Sequence, residues 1–397
     1  MSRISLLPIV LCAVSWTLFP ADAQTWTQTA APNNAWNSIA SSADGSKLIA
    51  AGGRSSYVFF STNSGATWNS NNIAPSPLWK CVASSADGTT LIAGSAFGGL
   101  YYSTNGGVAW QQAPLTNYWI ALSASADGTK LAAASRGDGH GGPIYCSTNA
   151  GLTWVSNDST TNNWAAIASS ADGKKLVAVA GYSGGNYGFS GDVIFVSTNA
   201  GGAWMKTGAP SNDWVSVASS ADGTKLIAGS DSAHGAFLST NSGLSWTSNS
   251  LSSFVIQSVA SSADGNTLLA ACESGPIFSS TNSGLAWVSN IATNQSWFCA
   301  AMSADGSREF AADGYDGGIY TSYSAPSTRL NVAIQNGGLL ISWLVPGTNF
   351  VLQQDLALDG AGWFTLTNIP LLNFTNLQNQ TLLTPNAGAA YFRLKTQ

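Results

Sequence analysis

One tetrapeptide, Ser-Ala-Asp-Gly, recurs along most of the chain at intervals of about 43 residues. Such a period indicates one supersecondary unit that is repeated, because each unit can bury its apolar face only against its neighbours. The repeat therefore constrains the fold more than any other feature of the sequence. The aspartates that mark it are Asp44, Asp87, Asp127, Asp172, Asp222, Asp264 and Asp305.

A second motif, Ser-Thr-Asn-x-Gly-x-x-Trp, follows each of the first six tetrapeptides. The seventh has no copy, but Trp26 lies one repeat length before Trp68, the tryptophan of the first copy. The end of the last repeat is therefore expected at the start of the mature chain. The asparagines and tryptophans of the six copies are Asn63 and Trp68, Asn105 and Trp110, Asn149 and Trp154, Asn199 and Trp204, Asn241 and Trp246, and Asn282 and Trp287.

Each repeat reads as four short strands, and the fifth repeat illustrates the pattern. Its first strand is predicted over Trp214–Ser220 and its second over Lys225–Ala228, joined by an Asp-Gly dipeptide that favours a type I′ turn. The third strand runs into Ser-Thr-Asn, and the fourth begins at the tryptophan of the motif. Four strands at this period predict an all-β protein, with a seven-bladed β-propeller over residues 24–326 that its N-terminal strand closes.

The Ser-Thr-Asn motif resembles the Asp-box, or BNR repeat, whose pattern is Ser-x-Asp-x-Gly-x-Thr-Trp. This repeat is found in propellers of the sialidase-like superfamily, in sortilin-type receptors, in xyloglucanases and in photosystem II assembly propellers. The resemblance covers residues 24 to about 325 and implies that the motif is a folding device on the side opposite the active face. Asparagine stands at the acidic position in all six copies, and its amide oxygen can still accept the hydrogen bonds of the turn.

The two ends of the chain lie outside the repeats. Residues 1–23 contain Arg3, then an apolar stretch, and then Ala21-Asp22-Ala23. This order is typical of a secretory signal peptide. The protein is therefore predicted to be secreted or held at the cell surface, with no transmembrane segment after cleavage. Residues 327–397 alternate in short runs, which predicts a small β-sandwich resembling the fibronectin-type or immunoglobulin-like modules of secreted bacterial proteins.

Composition argues against several classes of function. Charged residues make up 8% of the chain and the net charge is −5, so the chain lacks the clustered lysines and arginines of a nucleic-acid-binding face. The two histidines fall in different repeats, so no metal site is predicted, and no cofactor motif is found. Cys81, Cys146, Cys272 and Cys299 occupy non-equivalent positions of the repeat, which disfavours disulfides; Cys272 and Cys299 are the best-placed pair because their repeats are neighbours.

The charged and aromatic residues that the repeat does not require fall mainly in the loops between second and third strands. In a propeller these loops share one face with the starts of the first strands, and ligands bind where such loops vary over a constant scaffold. The ligand-binding residues predicted at this face are Arg54, Arg136, Asp138, His140, Tyr182, Tyr187, Asp192, Asp231, His234, Glu273, Asp313, Tyr315 and Asp316.

Six tryptophans open first strands at the same face, and they have two interpretations. Exposed side chains could stack on sugar rings, whereas buried side chains would pack between blades. Ile256 occupies the equivalent position of the sixth repeat, which favours packing. The six residues are Trp36, Trp79, Trp119, Trp164, Trp214 and Trp297.

The sequence favours a monomeric, non-catalytic binding or scaffold protein that recognises a glycan or an extracellular protein. A sialidase is not expected, because the repeats contain only Arg54, Arg136 and Arg308, and Arg308 is predicted on the opposite face. A structural protein of the cell surface is a third hypothesis. The main alternative is a glycoside hydrolase with two loop carboxylates drawn from Asp138, Asp192, Asp231, Glu273, Asp313 and Asp316.

Overall fold

The computed structural model describes residues 24–396 apart from short gaps. The regular elements of the described residues are all β-strands, arranged in nine sheets. Among these residues no helix has the length and apolar character needed to cross a membrane. The gaps are residues 54–55, 75–77, 137–140, 182–192, 233, 291–294, 316, 325–329, 336–337, 345–349, 357–361, 368–369, 374–376 and 384–389.

Within the described ranges, residues 26–323 form seven four-stranded antiparallel sheets, numbered here in chain order. Sheets 1 to 3 comprise β2 (Trp36–Ser41), β3 (Leu48–Gly52), β4 (Val58–Ser61) and β5 (Asn69–Asn71); β6 (Trp79–Ser84), β7 (Leu91–Ser95), β8 (Gly98–Ser103) and β9 (Gln111–Asn117); and β10 (Trp119–Ala124), β11 (Leu131–Ser135), β12 (Gly142–Ser147) and β13 (Val155–Asn162). Sheets 4 to 6 comprise β14 (Trp164–Ser169), β15 (Leu176–Ala180), β16 (Val193–Ser197) and β17 (Met205–Lys206); β18 (Trp214–Ser219), β19 (Leu226–Ser230), β20 (Ala236–Ser239) and β21 (Thr247–Ser248); and β22 (Ile256–Ser261), β23 (Leu268–Cys272), β24 (Ile277–Ser280) and β25 (Val288–Asn290).

Sheet 7 joins the two ends of this region. Its strands β26 (Trp297–Met302), β27 (Arg308–Asp313) and β28 (Ile319–Tyr323) follow sheet 6, and β1 (Trp26–Gln28) lies beside β28 as the outer strand. Trp26 pairs with Ser322 in this antiparallel ladder. The beginning of the described chain thus supplies the strand that the spacing of Trp26 predicts.

Backbone hydrogen bonds link each sheet to the next through the alanines of the Ser-Ala-Asp-Gly turns. Each alanine N–H donates to the carbonyl of the alanine in the following sheet, at 2.7 to 2.9 Å between N and O. The last of these bonds runs from Ala304 back to Ala43, and strand β26 also contacts β2. We call this set the alanine belt; its members are Ala43, Ala86, Ala126, Ala171, Ala221, Ala263 and Ala304.

The Ser-Ala-Asp-Gly turn is not the type I′ turn that Asp-Gly predicts. A type I′ turn needs positive φ at both central residues, but in the first repeat only Gly45 has one, at 70°. The Gly45 N–H donates to the Ser42 carbonyl at 3.0 Å, which gives a longer loop that ends on glycine. The prediction was wrong because the loop also orients the belt alanine and is capped by Asp44. Asp44 Oδ1 accepts hydrogen bonds from Ser42 Oγ at 2.6 Å and from the Ser46 N–H at 3.0 Å.

The six tryptophans that open the inner strands are buried between neighbouring sheets. Their side chains are at most 2% exposed, and Ile256 is equally buried. Each meets an aromatic ring nearly edge-on, as Trp36 does with Phe59 at 5.2 Å between ring centroids. The packing interpretation is therefore confirmed, and stacking of these tryptophans on sugars is wrong.

Two further sheets follow in the described part of residues 331–396. Ile341 and Trp343 of one sheet share an apolar cluster with Leu352 of the other. Leu377, just before β34, packs against alanines of the belt, including Ala171. The sheets comprise β29 (Asn331–Gln335), β30 (Gly338–Leu344), β34 (Gln378–Leu383) and β33 (Leu371–Asn373) in one, and β32 (Phe364–Thr365), β31 (Phe350–Asp355) and β35 (Tyr391–Thr396) in the other.

The four cysteines within the described residues form no disulfide: Cys81, Cys146, Cys272 and Cys299 are all free thiols. Burial raises the pKa of Cys146 and of Cys272 to about 12. Because the thiolate is the reactive form, these thiols are expected to be inert at neutral pH.

Candidate binding face

The inner strands have a different set of connections at each end. The turn face consists of the Ser-Ala-Asp-Gly turns and the Ser-Thr-Asn turns, which bond to each other, as in the 2.8 Å bond from the Ser64 N–H to the Ser46 carbonyl. The loop face consists of the loops between second and third strands together with the starts of the inner strands, since Trp36 pairs with Gly52 at the end of β3. The predicted ligand-binding residues that the structure describes belong to the loop face: Arg136, Asp231, His234, Glu273, Asp313 and Tyr315.

Side chains of the Ser-Thr-Asn turns are engaged within their own turn. In the first copy, Asn63 Oδ1 accepts the Thr67 N–H at 2.8 Å, and Ser61 Oγ accepts the Gly65 N–H at 2.8 Å. Trp68 Nε1 donates to the Gly65 carbonyl at 3.1 Å. The asparagine bond recurs in all six copies. These bonds favour a structural role for the motif.

Cations of the turn face connect neighbouring sheets. Lys47 Nζ donates to the Asp87 carbonyl at 2.7 Å, and Arg308 Nη1 of sheet 7 donates to Ser64 Oγ of sheet 1 at 2.9 Å. Shallow gaps, too small to hold a ligand, lie beside Lys175 and Lys130 at equivalent junctions between sheets. Because the gaps recur with the repeat, we attribute them to the packing of the sheets.

The loop face carries one irregularity in every inner strand. The ladder between first and second strands skips one residue directly after the opening residue, which is the signature of a β-bulge. The bulged side chains are half-buried at the loop face, and they differ in every sheet. Sequence reasoning missed this set, although its variability beside a constant tryptophan was a usable signal. The set is Asn37, Lys80, Ile120, Ala165, Val215, Gln257 and Phe298.

Two predicted carboxylates meet at one bulged side chain. Gln257 Nε2 donates to Asp231 Oδ1 at 2.8 Å and lies 3.5 Å from Glu273 Oε2. Asp231 is exposed and Glu273 is half-buried, and neither forms an ion pair with a described residue. The amide thus holds two negative charges side by side without neutralising them, which suits an incoming cationic group.

A buried amide shapes the loop that carries Asp231 and His234. Asn212 Oδ1 accepts hydrogen bonds from Ser230 Oγ at 2.9 Å and from Ser232 Oγ at 2.7 Å, and it lies 3.1 Å from His234 Nδ1. The asparagine is buried, whereas His234 is exposed. The network therefore fixes the loop and presents the histidine ring at the loop face.

Two aromatic pairs, each with one exposed and one half-buried ring, also lie on the loop face. Phe97 packs edge-on against Tyr118 at 5.7 Å between ring centroids, and Phe298 against Tyr315 at 5.9 Å. Phe97 is 77% exposed and Tyr315 is 57% exposed. Aromatic side chains held open to solvent by a rigid partner are typical anchors for a ligand. Of the four, sequence reasoning identified only Tyr315.

The other predicted residues differ in their positions and contacts. Asp313 ends strand β27, is 5% exposed, and accepts the Tyr315 N–H on Oδ1 at 2.7 Å, so it shapes the loop that presents Tyr315. Arg136 is half-buried, and its N–H donates to the Tyr118 carbonyl at 2.9 Å. Seven predicted residues lie outside the described part of the chain: Arg54, Asp138, His140, Tyr182, Tyr187, Asp192 and Asp316.

No group of three metal-ligating side chains forms among the described residues. Asp231 and Glu273 are joined by an amide, with no histidine or cysteine in the contact. This arrangement can hold a cationic or hydrogen-bonding ligand, and it carries the one pair of loop carboxylates that the described residues bring together.

Comparison with solved structures identifies the architecture. The chain is similar to YCF48 bound to D1 peptide, with a TM-score of 0.58 and 16% identity over 77% of this chain and 98% of the other. It is also similar to YCF48 from Cyanidioschyzon merolae, with a TM-score of 0.57 and 15% identity over 75% of this chain and 98% of the other. The chain has a β-propeller fold. No protein-family model matches the sequence, and neither does any curated protein. At this identity the similarity establishes the propeller fold and no more.

Proposed function

We propose that the protein is a secreted, monomeric, non-catalytic binding propeller that holds an extended segment of a protein partner on its loop face. In this proposal the seven sheets are the blades of one propeller of Asp-box type over residues 24–326, and β1 closes it. Residues 1–23 are a cleaved signal peptide, and residues 327–397 form a small β-sandwich. The cyclic alanine belt, with its return from Ala304 to Ala43, supports the blade count.

The observation that carries the proposed function is the contrast between the two faces. On the turn face, the polar side chains of the repeated turns are bonded within or between those turns, and Leu377 packs on the belt. On the loop face, Phe97 and Tyr315 project into solvent, and two carboxylates share one amide. The loop face therefore combines exposed aromatic rings with two carboxylates that no described cation neutralises, whereas the exposed side chains of the Ser-Thr-Asn turns are isolated aliphatic residues such as Leu285, so we infer that the partner binds the loop face. A propeller of the same fold has been solved with a peptide, which is consistent with this use.

The chemistry of the loop face specifies the kind of segment it suits. Asp231 and Glu273 favour a lysine or arginine side chain, which would donate to both carboxylates. The pairs at Phe97 and Tyr315 favour apolar or aromatic side chains. We therefore expect ligands in which one basic residue accompanies apolar residues, and we expect binding to weaken with salt.

A displayed library of random peptides, screened against the purified full-length mature chain, tests this proposal. We expect selected peptides to combine a basic residue with apolar ones, and Phe97→Ala to weaken their binding about tenfold or more. Leu285→Ala is the matched control, because Leu285 is an exposed apolar residue of a Ser-Thr-Asn turn. Equal affinity of the two variants, or selection of no peptide together with binding to a glycan array, would reject a peptide-binding loop face.

Glycoside hydrolysis is a second candidate because of one distance. Asp231 Oδ1 and Glu273 Oε2 both lie near Gln257 Nε2, so these oxygens are at most about 6 Å apart. This upper limit includes the separation of about 5–5.5 Å between the two carboxyl groups of retaining glycosidases. Sugar release from a polysaccharide panel, abolished separately by Asp231→Asn and by Glu273→Gln, would support this function. Binding without release would reject it.

A further inference from the structure

One position of the repeat changes character in sheet 7. Where the second strand begins, six repeats carry a buried leucine and the seventh carries Glu309, which is only 1% exposed. The leucine lies beside the glycine of the Ser-Thr-Asn turn in its own sheet, as Leu176 lies beside Gly201. The six leucines are Leu48, Leu91, Leu131, Leu176, Leu226 and Leu268.

The exception coincides with the one sheet that lacks a Ser-Thr-Asn turn. In sheet 7 the outer strand is β1, so the chain entering β1 occupies the place of that turn. Glu309 pairs with Ser322, and Ser322 pairs with Trp26, so these three residues are cross-strand neighbours. Gln24 precedes Trp26 by two residues, which directs both side chains to the same face of the sheet.

The Glu309 carboxyl group has no well-formed hydrogen bond, although both oxygens are buried. Burial raises the pKa of Glu309 to about 8, against the lowering effect of the nearby Gln24 side-chain amide. A buried carboxylate without a partner is strongly unfavourable, so an ionised Glu309 needs a cation or a strong donor at this place.

Gln24 contacts two different groups: its side-chain amide lies near the Glu309 carboxyl group, and its backbone nitrogen bonds to Asn290 of sheet 6. Its N–H donates to Asn290 Oδ1 at 2.8 Å, and Asn290 is fully buried, with Nδ2 bonded to Ser279 Oγ at 2.9 Å. The Gln24 side-chain oxygen is also buried without a partner. A charged nitrogen at Gln24 would therefore have one acceptor, Asn290 Oδ1, already in place.

We propose that Glu309 is the counter-ion for the α-ammonium group of Gln24, which forms when residues 1–23 are removed. Hydrolysis of the Ala23–Gln24 peptide bond by a signal peptidase consumes one water, leaves a carboxylate on Ala23, and frees an α-amine that takes up a proton. The new ammonium group keeps Asn290 as an acceptor and pairs with Glu309. This inference rests on the proposed secretion of the protein.

The pairing couples processing to closure of the propeller. Before cleavage, Gln24 offers one neutral amide N–H, so the three-residue strand β1 is held beside an uncompensated carboxyl group. After cleavage the same contact becomes an ion pair, which holds the start of β1 against sheets 6 and 7. The leucine of the other repeats could not serve here, because it offers no acceptor for a chain terminus.

A mutant cycle on the full mature chain tests the pairing. One form begins at Gln24 with a free α-amine, and the other is identical but N-terminally acetylated; each is made with Glu309, Glu309→Gln and Glu309→Leu. With Glu309, we expect the form with a free amine to have a higher unfolding midpoint than the acetylated form. In both variants this difference should be mostly lost. Equal shifts for all three residues would overturn the proposal.

Mass spectrometry gives a second readout, made under conditions in which wild type and Glu309→Gln are both folded. The free α-amine of Gln24 can attack its own side-chain carbonyl carbon, so that the N–Cδ bond forms, the Cδ–Nε2 bond breaks, and ammonia leaves. Pairing with Glu309 keeps the amine protonated and slows this cyclisation, so folded wild type should lose ammonia several-fold more slowly than Glu309→Gln. Equal rates would contradict the pairing.

The two proposals fail in distinguishable ways. N-terminal sequencing of the secreted protein shows whether cleavage occurs before Gln24, and any other first residue would reject the processing step. Peptide binding to the loop face should be unchanged in Glu309→Gln, because Glu309 lies at the start of β27, next to the turn face.

Discussion

Most polar side chains of the turn face bond to atoms only a few residues away. Ser42 Oγ donates to Asp44 Oδ1 at 2.6 Å, and Asn63 Oδ1 accepts the Thr67 N–H at 2.8 Å. Such bonds cost little chain entropy, since both partners are already close in sequence. Short hydroxyl and amide groups therefore stabilise the turns, and a chain with 8% charged residues can form them.

Asn149→Ala should lower the free energy of unfolding by about 1–2 kcal/mol, because it removes the acceptor of the Thr153 N–H, at 2.9 Å, and the partner of Ser147 Oγ. Asn149→Asp keeps the acceptor and should change the stability little. Leu152→Ala in the same turn is the control, since Leu152 is exposed. Denaturant unfolding measures all three, and an alanine variant as stable as the control would refute the capping role.

At the scale of the element, the bulge resolves a conflict within the inner strand. Trp36 and Ile39 are three residues apart, which in a regular strand would place them on opposite faces. Both are buried in the same cluster, together with residues of sheet 7. The extra residue after the tryptophan restores their common face and turns Asn37 towards the loop face. One irregularity thus serves both the core and the candidate site.

The aspartates of the Ser-Ala-Asp-Gly turns make the free energy of unfolding depend on pH. Burial alone would raise the pKa of these aspartates, but hydrogen bonds from neighbouring hydroxyl and N–H groups hold the pKa of Asp44, Asp87, Asp127, Asp172 and Asp222 below the usual value. A lowered folded pKa adds stability that is present above the unfolded pKa, near 4, and is lost as pH falls through the folded value.

We therefore expect the midpoint temperature of unfolding to change little at mildly acidic pH and to fall steeply below about pH 4. Thermal unfolding monitored between pH 2 and 7 checks this, with Asp222→Asn as the variant that removes one titrating group while keeping an acceptor. A midpoint that is independent of pH over this range would contradict the expected contribution of the turns.

Sequence reasoning reached the repeated elements but not their irregular parts. The period located the strands of residues 26–323, including the outer strand at Trp26, because a repeated pattern averages out local ambiguity. The turn type was wrong because Asp-Gly alone does not reveal that the preceding alanine bonds to the next sheet. Phe97 and Tyr118 were missed because only three-dimensional proximity shows that they form a pair.

At the scale of the whole molecule, β1 completes the four strands of sheet 7. It contributes three residues, and Trp26 packs against Trp297 at 6.4 Å between ring centroids. Without β1, strand β28 would be an unprotected edge with free N–H and C=O groups. Strand β1 therefore makes few contacts, but these contacts cover the edge of β28.

Removing residues 24–28 from the mature chain should lower the unfolding midpoint and cause self-association through the exposed edge of β28. Light scattering coupled to size-exclusion chromatography measures the association. Thr27→Ala is the control, because Thr27 is exposed and its backbone pairing persists. A truncated chain that remains monomeric with an unchanged midpoint would show that β1 is dispensable.

The alanine belt has a consequence for the electrostatics of the molecule. Its seven N–H···O=C bonds point the same way around a circle, so their dipoles follow one another head to tail and sum to nearly zero along the axis. A helix bundle of similar size would present oriented dipoles at its ends, whereas the dipoles of these seven bonds cancel one another. The long-range attraction of a charged partner therefore depends on individual side chains such as Asp231 and Glu273. When these are substituted, the electric field at the loop face changes, and the belt dipoles do not offset the change.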